Sequence, residues 1–194
     1  MAEISRVHIG VPDQGVLARI LREGGAQLFP QWLSAETSAE PRLLWWGMRG
    51  APVQLLDVPE EPALAGLFPR PIDDWSEAPR ALVLAAVDAE RAAASLAPAL
   101  PGRWHDAGLD EQLGAHVWRL AVGRSALLLA EPSTEGYTAG CLARFGEGPI
   151  AVALDGTTAA GRSVSRSPVS DGPATYVRID RGTAPTLIFL PARG

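Results

Sequence analysis

ISRVHIGVPDQGVLARILREGG, residues 4–25, places a strand, a sharp turn and a helix in one short unit. Val7, Ile9 and Val11 alternate with Arg6, His8 and Gly10, which predicts a strand with one apolar face and one polar or small face. Pro12 ends the strand and Asp13 is a helix N-cap. Val16, Leu17, Ile20 and Leu21 recur on one helical face, and Gly24 and Gly25 supply a left-handed ending. The apolar strand face covers this helix, so Arg6 and His8 point the other way, where chemistry has room.

The unit extends into three more strands. Residues 27–33 read as a short strand, and residues 42–48 and 52–57 as a hairpin turning at Arg49-Gly50-Ala51. Residues 59–79, rich in Pro, Glu and Asp and without a sustained period, form a linker. The pattern then restarts with a strand at 80–87, Asp88 capping an Ala-rich helix stopped by Pro98, and a strand over 102–107. A second hairpin, 116–121 and 125–130, turns at Val122-Gly123-Arg124. A unit of about fifty residues is thus used twice, which argues for duplication. A third stretch predicts a helix over 134–145 ending at Gly146, a strand over 148–154, and a hairpin of 175–179 with 186–190. The Ser, Gly and Arg-rich residues 156–172 stand there in place of a helix, so this unit reads as degenerate. The division is 1–58, first module; 59–79, linker; 80–132, second module; 133–194, linker helix and third module, all in one compact body.

Composition narrows the function classes. The 194 residues are 47% hydrophobic and 20% charged, in the range of an ordinary globular chain. A net charge of -5 argues against a nucleic-acid groove. Arg162 and Arg166, in the Ser-rich segment, read as a solvated loop rather than a phosphate site. No apolar run approaches the roughly 20 residues of a membrane helix, and no signal-peptide core is seen, so a cytoplasmic location is expected. Cys141 stands alone, which excludes an internal disulfide and a thiolate-rich metal site and predicts a buried small hydrophobe. All 17 cationic residues are arginine, which excludes Schiff-base and phosphate-loop lysines. No GxSxG elbow accompanies the serines, and GEG at 146–148 is followed by a strand rather than a dinucleotide-binding helix.

Strand, helix and three strands, repeated, with VPD closing the first strand, resembles the vicinal oxygen chelate (VOC) superfamily of glyoxalases, methylmalonyl-CoA epimerases, extradiol dioxygenases and bleomycin-resistance-type binding proteins. RVHIGVPD looks like its opening strand, VQLLDVP and LLLAEP like its closing strands, and CLARFGEGPIAVALDG like the linker helix and second opening strand of the epimerase branch. The resemblance implies an α+β fold of βαβββ modules curled into a cup-shaped mixed sheet. It also implies metal ligands on opening and closing strands. Carried onto this chain, those positions fall on Arg6, with His8 two residues on, and on Gln54 in the first module. They fall near Leu82, Leu84 and Leu128 in the second, and near Ile150 and Ala151 in the third. Of the matching positions only Gln54 fits the family's ligand chemistry, and Leu or Ala donates no electron pair, so no metal and no other cofactor is expected. The competing reading regroups His8, Gln54, His105 and His116 around a metal, although their spacing matches no known ligand repeat.

A cup without metal remains a small-molecule pocket. His8 is then a general acid or base, Arg6 holds a carboxylate or enolate, and Gln54 orients a carbonyl. Against this stands a core histidine at His8 and a rim ion pair at Arg6. Trp45 and Trp46, adjacent in a strand, face opposite sides, so one packs and the other stacks on a flat ligand. Packing accounts for Trp32, Trp75, Trp104 and Trp118, but Trp118 also shares a strand face with His116, and both join the ligand-binding set. If His116 faces the cup it is a second acid–base group. Adjacent strand residues point apart, so His105-Asp106 is no catalytic pair. Two functions follow: a metal-independent lyase or isomerase moving a proton on a small hydrophobic carbonyl compound, or a non-catalytic binder of a flat or aromatic metabolite. An odd number of modules with an open sheet edge points to a homodimer.

Overall fold

The structure, a computed structural model, describes residues 8–10, 42–44, 80–97, 100, 102–123, 125–133, 135–178 and 186–191. In chain order these form β1 (His8–Gly10), β2 (Arg42–Leu44), β3 (Ala81–Ala85), α1 (Ala89–Leu96), β4 (His105–Asp110), β5 (Ala115–Val122), β6 (Ser125–Pro132), α2 (Tyr137–Phe145), β7 (Gly148–Asp155), β8 (Arg162–Ser167), β9 (Gly172–Arg178) and β10 (Thr186–Leu190). The opening strand pairs antiparallel with β2, His8 opposite Leu44 and Gly10 opposite Arg42. The helix expected after Asp13 and the linker over 59–79 lie outside the described residues.

Strands β3 to β10 make one mixed sheet in the order β4-β5-β6-β3-β7-β10-β9-β8, curled into a half-barrel of the α+β class. Its order is mirrored about the centre. In each half the first strand pairs parallel with the last, β3 with β6 and β7 with β10, and the two first strands meet antiparallel. The duplication in this sheet is therefore between residues 81–132 and 148–190. The stretch read from sequence as degenerate supplies four full strands, among them Arg162–Ser167 inside the segment expected to be a loop. It lacks the helix that α1 provides in the other half.

The central strands show why these residues form sheet. Ala and Leu are strong helix formers, yet ALVLA of β3, ALLLA of β6 and TLIFL of β10 are strands, every residue of which is buried. Contiguous apolar runs suit a strand covered on both faces, whereas a surface helix needs polar residues between its apolar positions. AERAAASL has them. It buries Ala89 and Leu96, packs Ala92 and Ala93 on the sheet, and begins at Asp88, whose carboxylate accepts from Arg91 N–H at 2.9 Å. Glu131 accepts from Ala89 N–H at 2.9 Å and Glu147 from Val87 N–H at 2.8 Å, tying the positive helix start to β6 and to the residue before β7. The expected caps at Asp88 and Gly146 are both observed.

The two faces differ in size. The outer face, under α1, carries Leu82, Leu84, Leu120, Leu127, Leu129, Leu154, Leu187 and Phe189. The inner face alternates Ala81, Ala85, Ala115, Ala126, Ala130, Ala151, Ala153 and Ala174 with larger residues such as Leu128, Ile150, Tyr176 and Ile188, and α2 packs over β3, β6 and β7. A curled sheet has less room inside, and the alanines make space there for a helix.

Gly161, just before β8, has φ +95°, and a Cβ there would overlap the Tyr176 carbonyl oxygen. Gly161→Ala should lower stability by about 1–3 kcal/mol. Gly140 lies inside α2 with open space around its Cα, so Gly140→Ala should raise stability by about 0.5–1 kcal/mol. Urea unfolding of the two variants checks both signs.

Candidate functional site

Two polar clusters stand out among the described residues, one inside the curl and one outside. Inside, Asp110 ends β4 and is 2% exposed. One of its carboxylate oxygens, Oδ1, accepts from Gln112 and Leu113 N–H, each at 2.9 Å. The other, Oδ2, accepts from the Tyr176 hydroxyl, which lies 2.5 Å from Ser167 Oγ, and Ser167 Oγ accepts from Val169 N–H at 3.1 Å. With Tyr176 donating to Asp110, Ser167 donates to Tyr176, and every proton in the chain points toward the carboxylate. β4 and β8 are the two outer strands of the sheet and β9 neighbours β8, so this chain joins opposite edges. Arg119 reinforces the join through Asp171 at 3.3 Å, as does Arg178 by donating to Gln112 C=O at 3.1 Å.

Helix α2 is fixed to the same interior. Thr138 donates to Leu113 C=O from its hydroxyl at 2.8 Å and from its N–H at 3.0 Å. Tyr137 donates to Ile150 C=O at 2.8 Å and accepts from Thr186 N–H at 3.1 Å, bridging the starts of β7 and β10. The Arg178 guanidinium lies over the Tyr137 ring, 4.9 Å from its centre. Burial pushes the Cys141 thiol and the Tyr137 and Tyr176 hydroxyls up, so all three stay protonated and unreactive.

Outside the curl, His116 Nε2 lies 2.7 Å from Asp106 Oδ1. Trp118 packs against the outer core, and His116, two residues back on β5, shares its face and meets it edge-on, ring centres 6.1 Å apart and planes at 62°. Asp106 stands opposite Trp118, and Leu109, 54% exposed, stands opposite His116. Trp104 packs against the same outer core. The result is an exposed acid–base pair flanked by apolar side chains.

His116 and Trp118 thus share a face, as the alternation predicts, but it is the outer face, which carries α1, and not the inside of the curl. Asp106 points away from its neighbour His105, and the imidazole it meets lies across the ladder. His8 is placed in β1 by its backbone; Arg6, Gln54, Trp45 and Trp46 lie outside the described residues. The metal positions implied by the resemblance fall here on Leu82, Leu84, Leu128, Ile150 and Ala151, all buried among apolar neighbours, and these side chains do not fit a metal. Among the described residues no three His, Cys, Asp or Glu side chains gather closely enough to hold one, and no helix is long and apolar enough to cross a membrane.

No family model and no curated protein matches the chain. Among solved structures it is similar to a hypothetical protein from Bacillus halodurans C-125, at 13% identity and TM-score 0.49, over 60% of this chain and 94% of that one. It is similar to methylmalonyl-CoA epimerase from Mycobacterium tuberculosis at 14% identity and TM-score 0.49, over 60% of this chain and 88% of the other. A variant of the Streptomyces coelicolor methylmalonyl-CoA epimerase in complex with 2-nitronate-propionyl-CoA is similar at 18% identity and TM-score 0.46, over 57% and 95%.

Burial raises the Asp110 pKa above its ordinary 3.8, against the opposing hydrogen bonds from Tyr176, Leu113 and Gln112. The folded protein then holds this proton more tightly than the unfolded chain. The stability contributed by Asp110 is largest below the unfolded value and is lost as pH rises through the folded one. Compared with Asp110→Asn, the wild-type protein should lose stability as pH is raised from 3.8 upward, measured by urea unfolding across that range. A difference that stays flat with pH would contradict this.

Proposed function

We propose that the chain is a VOC-like isomerase or lyase that works without a metal on a small hydrophobic carbonyl compound, by proton transfer through His116. The observation that supports this reading is the 2.7 Å contact between His116 Nε2 and Asp106, with the imidazole still 41% exposed to an arriving ligand. Nε2 faces the carboxylate, which leaves Nδ1 on the open side of the ring for a ligand's proton.

The proposed step is simple. Nδ1 takes the proton from the carbon beside the carbonyl, the C–H electron pair moves toward the carbonyl oxygen to form an enolate, and the imidazolium returns a proton to complete the isomerisation. Leu109 and Trp118 offer the apolar flanks on which such a ligand rests.

A second reading is a protein that binds and sequesters a flat or aromatic metabolite without transforming it. Trp118, edge-on to His116 on the same strand face, supports it as a surface for such a ligand. Alanines and α2 fill the inside of the curl, so in either reading the ligand rests outside it. Deuterium uptake from D2O into branched acyl thioesters and 2-hydroxyketones, followed by NMR, separates the two. Uptake that falls by about 100-fold in His116→Ala supports catalysis. Binding of these compounds without any uptake favours sequestration, and uptake indifferent to His116 removes it as the base.

A further inference from the structure

We infer that Asp106 is a positioning residue for His116, delivered to it by a β-bulge, an assignment that rests on His116 being the proton-transferring group. The ladder between β4 and β5 slips by one residue: Asp106 pairs with Trp118, and the next partner of β5, Val117, pairs with Gly108. Ala107 is therefore an extra residue. With regular pairing Gly108 would stand opposite His116; with the bulge Leu109 does, and Asp106 and Leu109 come to the same face despite their odd separation.

The bulge also supplies a backbone donor. Gly108 has φ +93°, a conformation that side-chain-bearing residues rarely adopt, and it turns its N–H onto Asp106 Oδ1 at 2.8 Å. The same oxygen lies 2.7 Å from His116 Nε2. A carboxylate this exposed, at 58%, would otherwise sample several rotamers; the amide holds it in the one that meets the imidazole. Trp118, edge-on to the ring, restricts its tilt from the other side. The proton is thereby kept on Nε2 and the lone pair on Nδ1, directed away from Asp106. A carboxylate that orients a histidine by bonding its second nitrogen is a recurrent arrangement.

The contact contributes little to folding, because both partners are solvated. Its effect lies in ring orientation, which a spectroscopic measurement reads directly. The experiment is 15N-edited NMR of the His116 ring N–H on the full chain, alongside the deuterium-uptake assay, for wild type, Asp106→Ala and Asp106→Asn. The expected result is a downfield, slowly exchanging Nε2–H signal in the wild type that disappears in Asp106→Ala, together with at least a tenfold fall in uptake. Asp106→Asn, which keeps an acceptor oxygen, should restore most of both. A ring N–H signal unchanged in Asp106→Ala overturns the inference, and so does a lost signal with wild-type uptake. Failure of the parent reading looks different: His116→Ala then leaves uptake unaltered.

Discussion

Asp110 could not occupy its site without Tyr176. A carboxylate 2% exposed between the edges of a sheet is costly to bury, and four donors acting directly or in relay offset part of that cost. Gln112 and Leu113 give backbone amides from the turn after β4, and Tyr176 and Ser167 give hydroxyls from the far side. Because those two groups belong to opposite ends of the strand order, satisfying the carboxylate and curling the sheet are one event. The curl in turn demands small side chains inside. The eight inner alanines and the leucines facing outward are its sequence record.

Much of this was legible because the central strands violate alternation in an informative way. Unbroken runs such as ALVLA and TLIFL mark strands covered on both sides, and Asp88 and Gly146 mark helix ends. Which units pair was not legible, since strand order depends on contacts between residues tens of positions apart. β8 escaped notice because RSVSRS is an exposed outer strand: it has no core to face along most of its length, and only Ser167 is buried. Its polarity made it resemble a loop. The strand read over 102–107 is displaced to His105–Asp110 because Asp110, a polar residue, closes it from within the core.

The outer pair was hidden for a different reason. Strand parity places neighbours on opposite faces, and by that rule Asp106 has no claim on a histidine beside it in sequence. A single extra residue, Ala107, changes which positions share a face, and the signal for it is one glycine, Gly108, with a local carboxylate ready to bond its N–H. Sequence patterning reports regular structure. It is least informative at a bulge, where a strand's regularity is broken and a side chain is re-aimed.

The two halves of the sheet are not equally self-sufficient. The first half carries its own helical cover, α1, whereas the second passes from β7 to β8 through residues 156–161 without a helix. Yet Val152, Leu154, Leu187 and Phe189 on its outer side are 0–4% exposed. β2 packs on β7, whose inner side is already taken by α2. β2 therefore shields part of the half that lacks its own roof. Without that cover the strand pairings of the eight-stranded sheet would persist, but its second half would present a greasy surface to water.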